Sequence, residues 1–210
     1  MPRFIQELEQ TLLKDLQSRS QDYRPAAAPH TLDADSLERH FMDAHSYHPC
    51  YKSRIGFSLD DNRRYGPEFG QPLAVVWLGI ARALGSVNQS QGIDLQRFLE
   101  DEFGAGRWAE IDRALAEQGR TLADYWPIPV HPWQWEQVIV PNFQAELARG
   151  ELLYLGTSGP DYRPQQSIRT LANVEQPTRP YVKLALSMTN TSSTRILARH
   201  TVLNGPIIND

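Results

Sequence analysis

With 210 residues and 40% hydrophobic content, the chain can bury one large core or two small ones, so it reads as globular. A formal charge of -4 excludes a nucleic-acid binder that works through a general basic surface, and any cationic function must be local. One cysteine, Cys50, excludes an internal disulfide; the acidic opening lacks the apolar core of a signal peptide; and the longest apolar run, residues 73–81, is far short of the roughly 20 needed to span a bilayer. The expected setting is cytoplasmic, with neither membrane nor nucleic acid as a partner.

Phe4, Leu8, Leu12 and Leu16 recur every four residues and predict an amphipathic helix over residues 3–17. A proline and alanine link at 24–29 follows, and Asp33 or Asp35 caps a second helix that carries Leu37 and Phe41 toward a core. The next segment, DAHSYHPCYKSRIGFS, sets His45 and His48 three apart, ahead of Lys52 and Arg54. Pro49 and Gly56 make residues 48–56 a loop or a short extended stretch. Two readings stand for it: a cationic, hydrogen-bonding wall for an anion, or surface basic residues beside an ordinary core histidine. Zinc finds too few ligands, because only His131 is available at a distance.

Residues 60–72 read as a turn-rich loop, residues 73–84 as a buried helix, and residues 85–92 as a polar link. Leu95, Phe98, Leu99 and Phe103 have helical spacing, as do Trp108, Ile111 and Leu115 after the glycine breaks at 104 and 106. Composition changes at Tyr125, where three prolines and three tryptophans surround His131 in WPIPVHPWQWEQVI. The prolines force an extended path, Trp133 starts a helix carried to about Ala148, and His131 suits a structural hydrogen bond. A strand over 151–155 and a loop over 156–164 come next.

The densest signal lies at residues 165–199. Residues 181–189 alternate, with Val182, Leu184, Leu186 and Met188 on one side, which predicts a half-buried strand. Ser167 and Arg169 share one face of a preceding short strand, and the turn-rich link at 173–180 returns the chain antiparallel, so Ser167, Arg169 and Lys183 can be presented together. Asn190, Thr191, Ser192 and Ser193 favour a helix start, followed by Arg195 and Arg199 one turn apart. Such a set suits a polyanion, with phosphate the commonest; the alternative is solvated basic residues. Neither GxxxxGK[ST] nor GxGxxG occurs, so side chains would have to hold the phosphate. Ile207 and Ile208 open an apolar element at the end of the sequence, and the expectation is a piece of a longer protein.

AHSYHPCYKSRIGFS resembles the GHPxHPxxKxRxG signature of the IucA/IucC family, the siderophore synthetases independent of nonribosomal peptide synthetases. IPVHPWQW, QQSIRT and YVKLALSMTNTSSTR are similar to the next three signatures in the same order, so the resemblance covers residues 36–210. Ala44 and Ser46 depart from the Gly and Pro that flank the first histidine. HPCYKSRIGFS, YGPEFGQPL and QQSIRT together look most like the branch of the alcaligin and desferrioxamine synthetases.

The resemblance implies an α+β fold likened to a cupped hand. A helical thumb would occupy residues 1–125 and the start of an antiparallel fingers domain residues 126–210, with the palm absent from this chain. It also implies an ATP-dependent ligase that activates a carboxylate, a citrate derivative or a succinylated hydroxy-diamine, as an acyl-adenylate and passes it to an amine. By motif, Ser167, Arg169, Lys183 and Thr191 would bind ATP phosphates, and His45 and Arg195 would be catalytic. His48, Lys52 and Arg54 are candidates for substrate binding. Magnesium ligands are expected outside this chain, the full-length protein is expected to be a homodimer, and the 210-residue piece alone is not expected to complete the reaction. Two other classes compete: a non-catalytic module that binds an anionic metabolite, and a histidine-based metallohydrolase.

Overall fold

The computed structural model describes residues 2–20, 28–40, 48–157, 159–190 and 207–208. The first helix, α1 (Arg3–Arg19), forms where the four-residue spacing predicts it. Its buried positions, however, are Glu7, Thr11, Lys14 and Ser18, while Phe4, Leu12 and Leu16 are exposed. Polar groups tolerate this burial because each finds a partner. Thr11 and Ser18 donate to the carbonyls of Glu7 and Lys14, and Lys14 Nζ donates to those of Phe57 and Ser58 at 3.0 Å each. Helix α2 (Ala34–His40) starts at Asp33, whose carboxylate accepts the Ser36 N–H.

Strand β1 (Arg54–Ile55) is followed by helix α3 (Leu59–Tyr65), inside the stretch expected to be loop. Ser58 and Asp61 make a reciprocal capping box there, a signal present in the sequence as S-x-x-D. A single 3-10 turn (Pro67–Phe69) ends on left-handed Gly70 and leads into β2 (Leu73–Ala74), where the chain passes from one compact unit to another.

The described residues fall into two such units. One comprises those up to Leu73 together with those from Tyr162 onward; the other is Ala74–Asp161. The second unit is built on β3 (Val76–Ala81), which corrects the expected buried helix. An unbroken apolar run suits either a buried helix or a central strand, and here both edges of β3 are paired and every residue but the last is buried. Helices α4 (Leu95–Phe103) and α5 (Ala105–Ala116) follow as their spacing predicts, with Asp94 capping α4. Their aromatic residues meet the strand: the rings of Trp77 and Phe103 lie 4.1 Å apart, and Trp108 stands edge-on to Phe103 at 5.6 Å.

Strand β4 (Tyr125–Val130) is the extended path forced by the prolines. It runs antiparallel to β3 with Pro127 opposite Gly79 and Pro129 opposite Trp77. Two prolines two residues apart leave the N–H groups of Trp126, Ile128 and Val130 on one side for the ladder, and they confine β4 to an edge of the β4-β3-β5 sheet.

The single helix expected from Trp133 to Ala148 is instead broken into α6 (Pro132–Gln134), a π-helical turn (Trp135–Ile139), α7 (Val140–Asn142) and α8 (Gln144–Arg149). Pro141 is the cause. It has no N–H, its ring crowds the carbonyl one turn back, and the wider π turn before it absorbs the mismatch. Strand β5 (Leu152–Gly156) pairs with β3 and completes the sheet.

In the first unit, β6 (Asp161–Pro164), expected as loop, pairs with β7 (Thr170–Asn173), and β7 pairs with β8 (Val182–Lys183), all antiparallel. Burial alternates as the sequence predicts: Val182, Leu184, Leu186 and Met188 are at most 4% exposed, although only Val182 and Lys183 form β8. Beyond it, β9 (Thr189–Asn190) pairs with β1, and β10 (Ile207–Ile208) pairs with β8.

Candidate anion site on the β7–β8 hairpin

Ser167, Arg169 and Lys183 occupy neighbouring backbone positions on the β7–β8 hairpin, though not on one strand face. Ser167 and Arg169 lie in the turn that enters β7, closed by the Thr170 N–H donating to the Ser167 carbonyl at 2.6 Å. Register sets Lys183 opposite Thr170, the residue after Arg169. Arg169 is further tied across the hairpin, its Nε donating to the Leu184 carbonyl at 2.9 Å and its own carbonyl accepting the Leu184 N–H at 2.8 Å. The guanidinium plane is thus oriented by β8. Ser167 is exposed and Lys183 half-buried, and the Lys183 ammonium makes no hydrogen bond or ion pair among the described residues. A hydroxyl, an oriented guanidinium and an ammonium at one end of a hairpin fit the oxygens of a phosphate chain.

The second cluster of cations behaves differently. Lys52 is 3% exposed and donates to Asp15 at 2.9 Å; Arg54 is 6% exposed and grips Glu68 with both terminal nitrogens, at 2.8 and 3.0 Å. Arg54 also bonds Asn62, and Ser18 donates to Glu68 at 3.0 Å. Burial by itself would raise the Glu68 carboxyl, but the charge and hydrogen bonds of Arg54 outweigh it and hold the group below the ordinary carboxylate value. Asp15 is likewise raised by burial and more than compensated by bonds from Arg19, Lys52 and Tyr51. These charges are spent inside the fold. The sequence reading singled out the cations and missed Asp15, Asn62 and Glu68. Of these, Glu68 had a local mark, an acid held in a turn between Gly66 and Gly70.

Both described histidines of the signatures share one geometry. In His48-Pro49-Cys50 and His131-Pro132-Trp133, Nδ1 accepts the N–H two residues on, at 3.1 Å in each case. His131 is fully buried and caps α6, the structural hydrogen bond expected of it; His48 is half-buried. His45, Thr191 and Arg195 lie outside the described residues. Among the described residues no three His, Cys, Asp or Glu side chains converge as metal ligands. In the other unit a cavity of about 150 Å³ lies beside Arg82, which stacks on Trp126 at 3.7 Å, and none of the predicted residues lines it.

The sequence model described as the IucA / IucC family matches residues 33–210. The chain belongs to the IucA/IucC family. A citryl-spermidine/3,4-dihydroxybenzoyl-citryl-spermidine:spermidine ligase from Bacillus anthracis is 39% identical over 99% of the chain, which spans 34% of that protein. The crystal structure of the petrobactin biosynthesis protein AsbB from the same species superposes with a TM-score of 0.82 at 40% identity, over 91% of this chain and 31% of that one. ATP-bound aerobactin synthetase IucA from Klebsiella pneumoniae superposes at 0.73 with 25% identity, over 92% of this chain and 34% of that one. The α+β architecture with antiparallel sheets agrees with these structures. The chain spans about a third of the length of the relatives that it matches.

Proposed function

We propose that the protein carrying this chain is an ATP-dependent acid–amine ligase of siderophore biosynthesis, and that the β7–β8 hairpin is part of its nucleotide site. What supports this reading is the neighbouring placement of Ser167, Arg169 and Lys183 along the β7–β8 hairpin, in a member of a family whose relatives include a ligase acting on citryl-spermidine and an ATP-bound synthetase. In the reaction a carboxylate oxygen attacks the α-phosphorus and pyrophosphate leaves. An amine then attacks the acyl carbon, AMP departs and a proton is lost.

In this reading Arg169 and Lys183 neutralise the phosphate charge, with Arg169 aimed by the Leu184 carbonyl and Ser167 adding a hydroxyl donor. Thr191, His45 and Arg195 complete the site by motif, the division into a thumb at 1–125 and fingers at 126–210 is part of the same proposal, and the acid is a citrate derivative or a succinylated hydroxy-diamine. Among the described residues no three His, Cys, Asp or Glu side chains converge, and the magnesium that this reading calls for would be held by residues outside this stretch. The expected homodimer and a cytoplasmic setting belong to the same proposal.

The test is thermal. ATP should raise the melting temperature of the full-length protein, and Arg169→Ala and Lys183→Ala should each abolish the rise while leaving the ligand-free melting temperature within a few degrees. An ATP shift that survives both substitutions removes the hairpin from the nucleotide site; stabilisation by simple anions but not by ATP points to an anion-binding module instead.

A further inference from the structure

Resting on the nucleotide site proposed above, we infer that Glu38, with Asp35 beside it, is a positioning residue for that site: the two carboxylates of α2 hold the loop between β6 and β7, which carries Ser167 and Arg169. The contacts run directly from the helix to that loop. The Glu38 carboxylate accepts the Gln166 N–H at 2.8 Å, and the Gln166 side-chain amide donates back to the Glu38 carbonyl. Asp35 accepts the Gln165 side-chain amide at 3.1 Å with one oxygen and pairs with Arg163 of β6 through the other. Ser167 is the next residue along the chain. Two carboxylates three apart lie on one face of the seven-residue α2 and repel each other, so nothing local favours the pair. Their partners at 163–166 stand 128 and 130 residues further on.

The loop is tethered on both sides of its exposed residue. At its start the Gln165 N–H donates to the Thr170 carbonyl at 2.9 Å, and the Gln165 side chain, held by Asp35, is only 4% exposed. Ile168 seats the middle at 2% exposure, and Arg169 ties the end to Leu184 of the neighbouring segment through its Nε and its carbonyl. Between the α2 tether and the Leu184 tether stand the exposed hydroxyl of Ser167 and the oriented guanidinium of Arg169. Loops are the mobile parts of a fold unless their backbone polar groups find partners, and a carboxylate is the stronger kind of acceptor for an N–H. The contacts suit alignment more than cohesion. Asp35 and Arg163 keep 26% and 22% of their side-chain surface in water, where an ion pair contributes little to stability. A donor and an acceptor exchanged between Glu38 and Gln166, by contrast, fix both the distance and the rotation of the loop against α2.

The experiment uses the full-length enzyme and three variants. Glu38→Ala removes the acceptor, Glu38→Gln keeps an acceptor oxygen on a side chain of the same length, and Gln166→Glu replaces the reciprocal donor by a like charge. In Glu38→Ala and Gln166→Glu, amide exchange at position 166 should quicken about tenfold or more, and KM for ATP should rise about tenfold with kcat and the KM values of acid and amine changed less than about twofold. Glu38→Gln should bring both readings back to within about threefold of wild type, a rescue that loss of stability alone would not produce. Leu155→Ala, in β5 of the other unit, controls for general destabilisation and should show neither effect. Unchanged KM for ATP in Glu38→Ala and Gln166→Glu, a Glu38→Gln variant as impaired as Glu38→Ala, or an equal rise in Leu155→Ala overturns the inference, and if Glu38→Ala does not fold Gln166→Glu still decides it. Unchanged KM for ATP in Arg169→Ala would instead refute the hairpin as the nucleotide site, and this inference with it.

Discussion

The described basic side chains of the signatures differ in what stands beside them. Lys183 has no hydrogen-bonding or ion-pair partner among the described residues, whereas Lys52 and Arg54, which look equally available in sequence, are neutralised by Asp15 and Glu68. That difference makes an acid-stability prediction. The folded-state pKa of Glu68, and that of Asp15, is depressed, so their contribution is complete above the unfolded values of about 4.3 and 3.9 and is lost as pH falls through the lower folded values. At pH 7, Glu68→Gln should cost about 3–5 kcal/mol, because Arg54 is left buried without its counter-charge. Urea titrations from pH 7 to pH 3 should show the gap between wild type and variant closing at the acid end; a constant gap would mean that the carboxylate charge is not what is lost. The paired histidines teach a related point. Their Nδ1 atoms are occupied by backbone N–H groups in both His-Pro-Xaa turns, so a neutral ring carries its proton on Nε2.

Elements follow local rules until two of those rules give the same answer. Residues 73–84 satisfy both the buried-helix and the buried-strand pattern, and pairing on both sides of β3 decides for the strand. Gly79 sits at the centre of that sheet, where a Cβ would stand 3.4 Å from Tyr125 Cβ and 3.5 Å from Leu153 Cβ and Leu155 Cδ1. Alanine therefore fits at ordinary contact distance, and valine does not. Gly79→Val should lower unfolding free energy by about 1–3 kcal/mol by overpacking, and Gly79→Ala by less than about 1 kcal/mol, as measured by chemical denaturation. Equal costs would show that the sheet has room. In α1 the helix itself was legible and its buried face was not. The periodic Phe4, Leu12 and Leu16 are exposed, while the stripe of Glu7, Thr11, Lys14 and Ser18 enters the core because Lys14 and Ser18 meet carbonyls and a carboxylate from residues 57–68.

At the scale of the molecule, the two compact units differ in how they are assembled from the chain. Ala74–Asp161 is almost one continuous stretch, with Trp77, Leu78, Phe103, Leu115, Ile139 and Leu152 in its core. The other unit joins residues before Leu73 to residues after Tyr162, through β1 with β9 and through Gln165 and Arg163 with Asp35. Residues 74–161 expressed alone should therefore unfold cooperatively in urea, with a single transition seen by tryptophan fluorescence and by far-ultraviolet dichroism, whereas residues 2–73 alone should not. Non-coincident transitions in the first piece would show that its core needs the rest of the protein.

By itself the sequence determined what depends on near neighbours. The caps of α2 and α4, the proline-forced extension of β4, the alternation after Tyr181 and four ordered signatures are all written within a few residues of one another. Only the tertiary structure decided which cations remain available, which face of α1 is buried, and that the apolar run at β3 is a strand. Arg54 and Glu68 are fourteen residues apart, and Lys14 and Phe57 forty-three. No local period connects such residues, so their pairing exists only once the chain has closed those loops and the low-dielectric interior has made an unpaired charge too costly to leave.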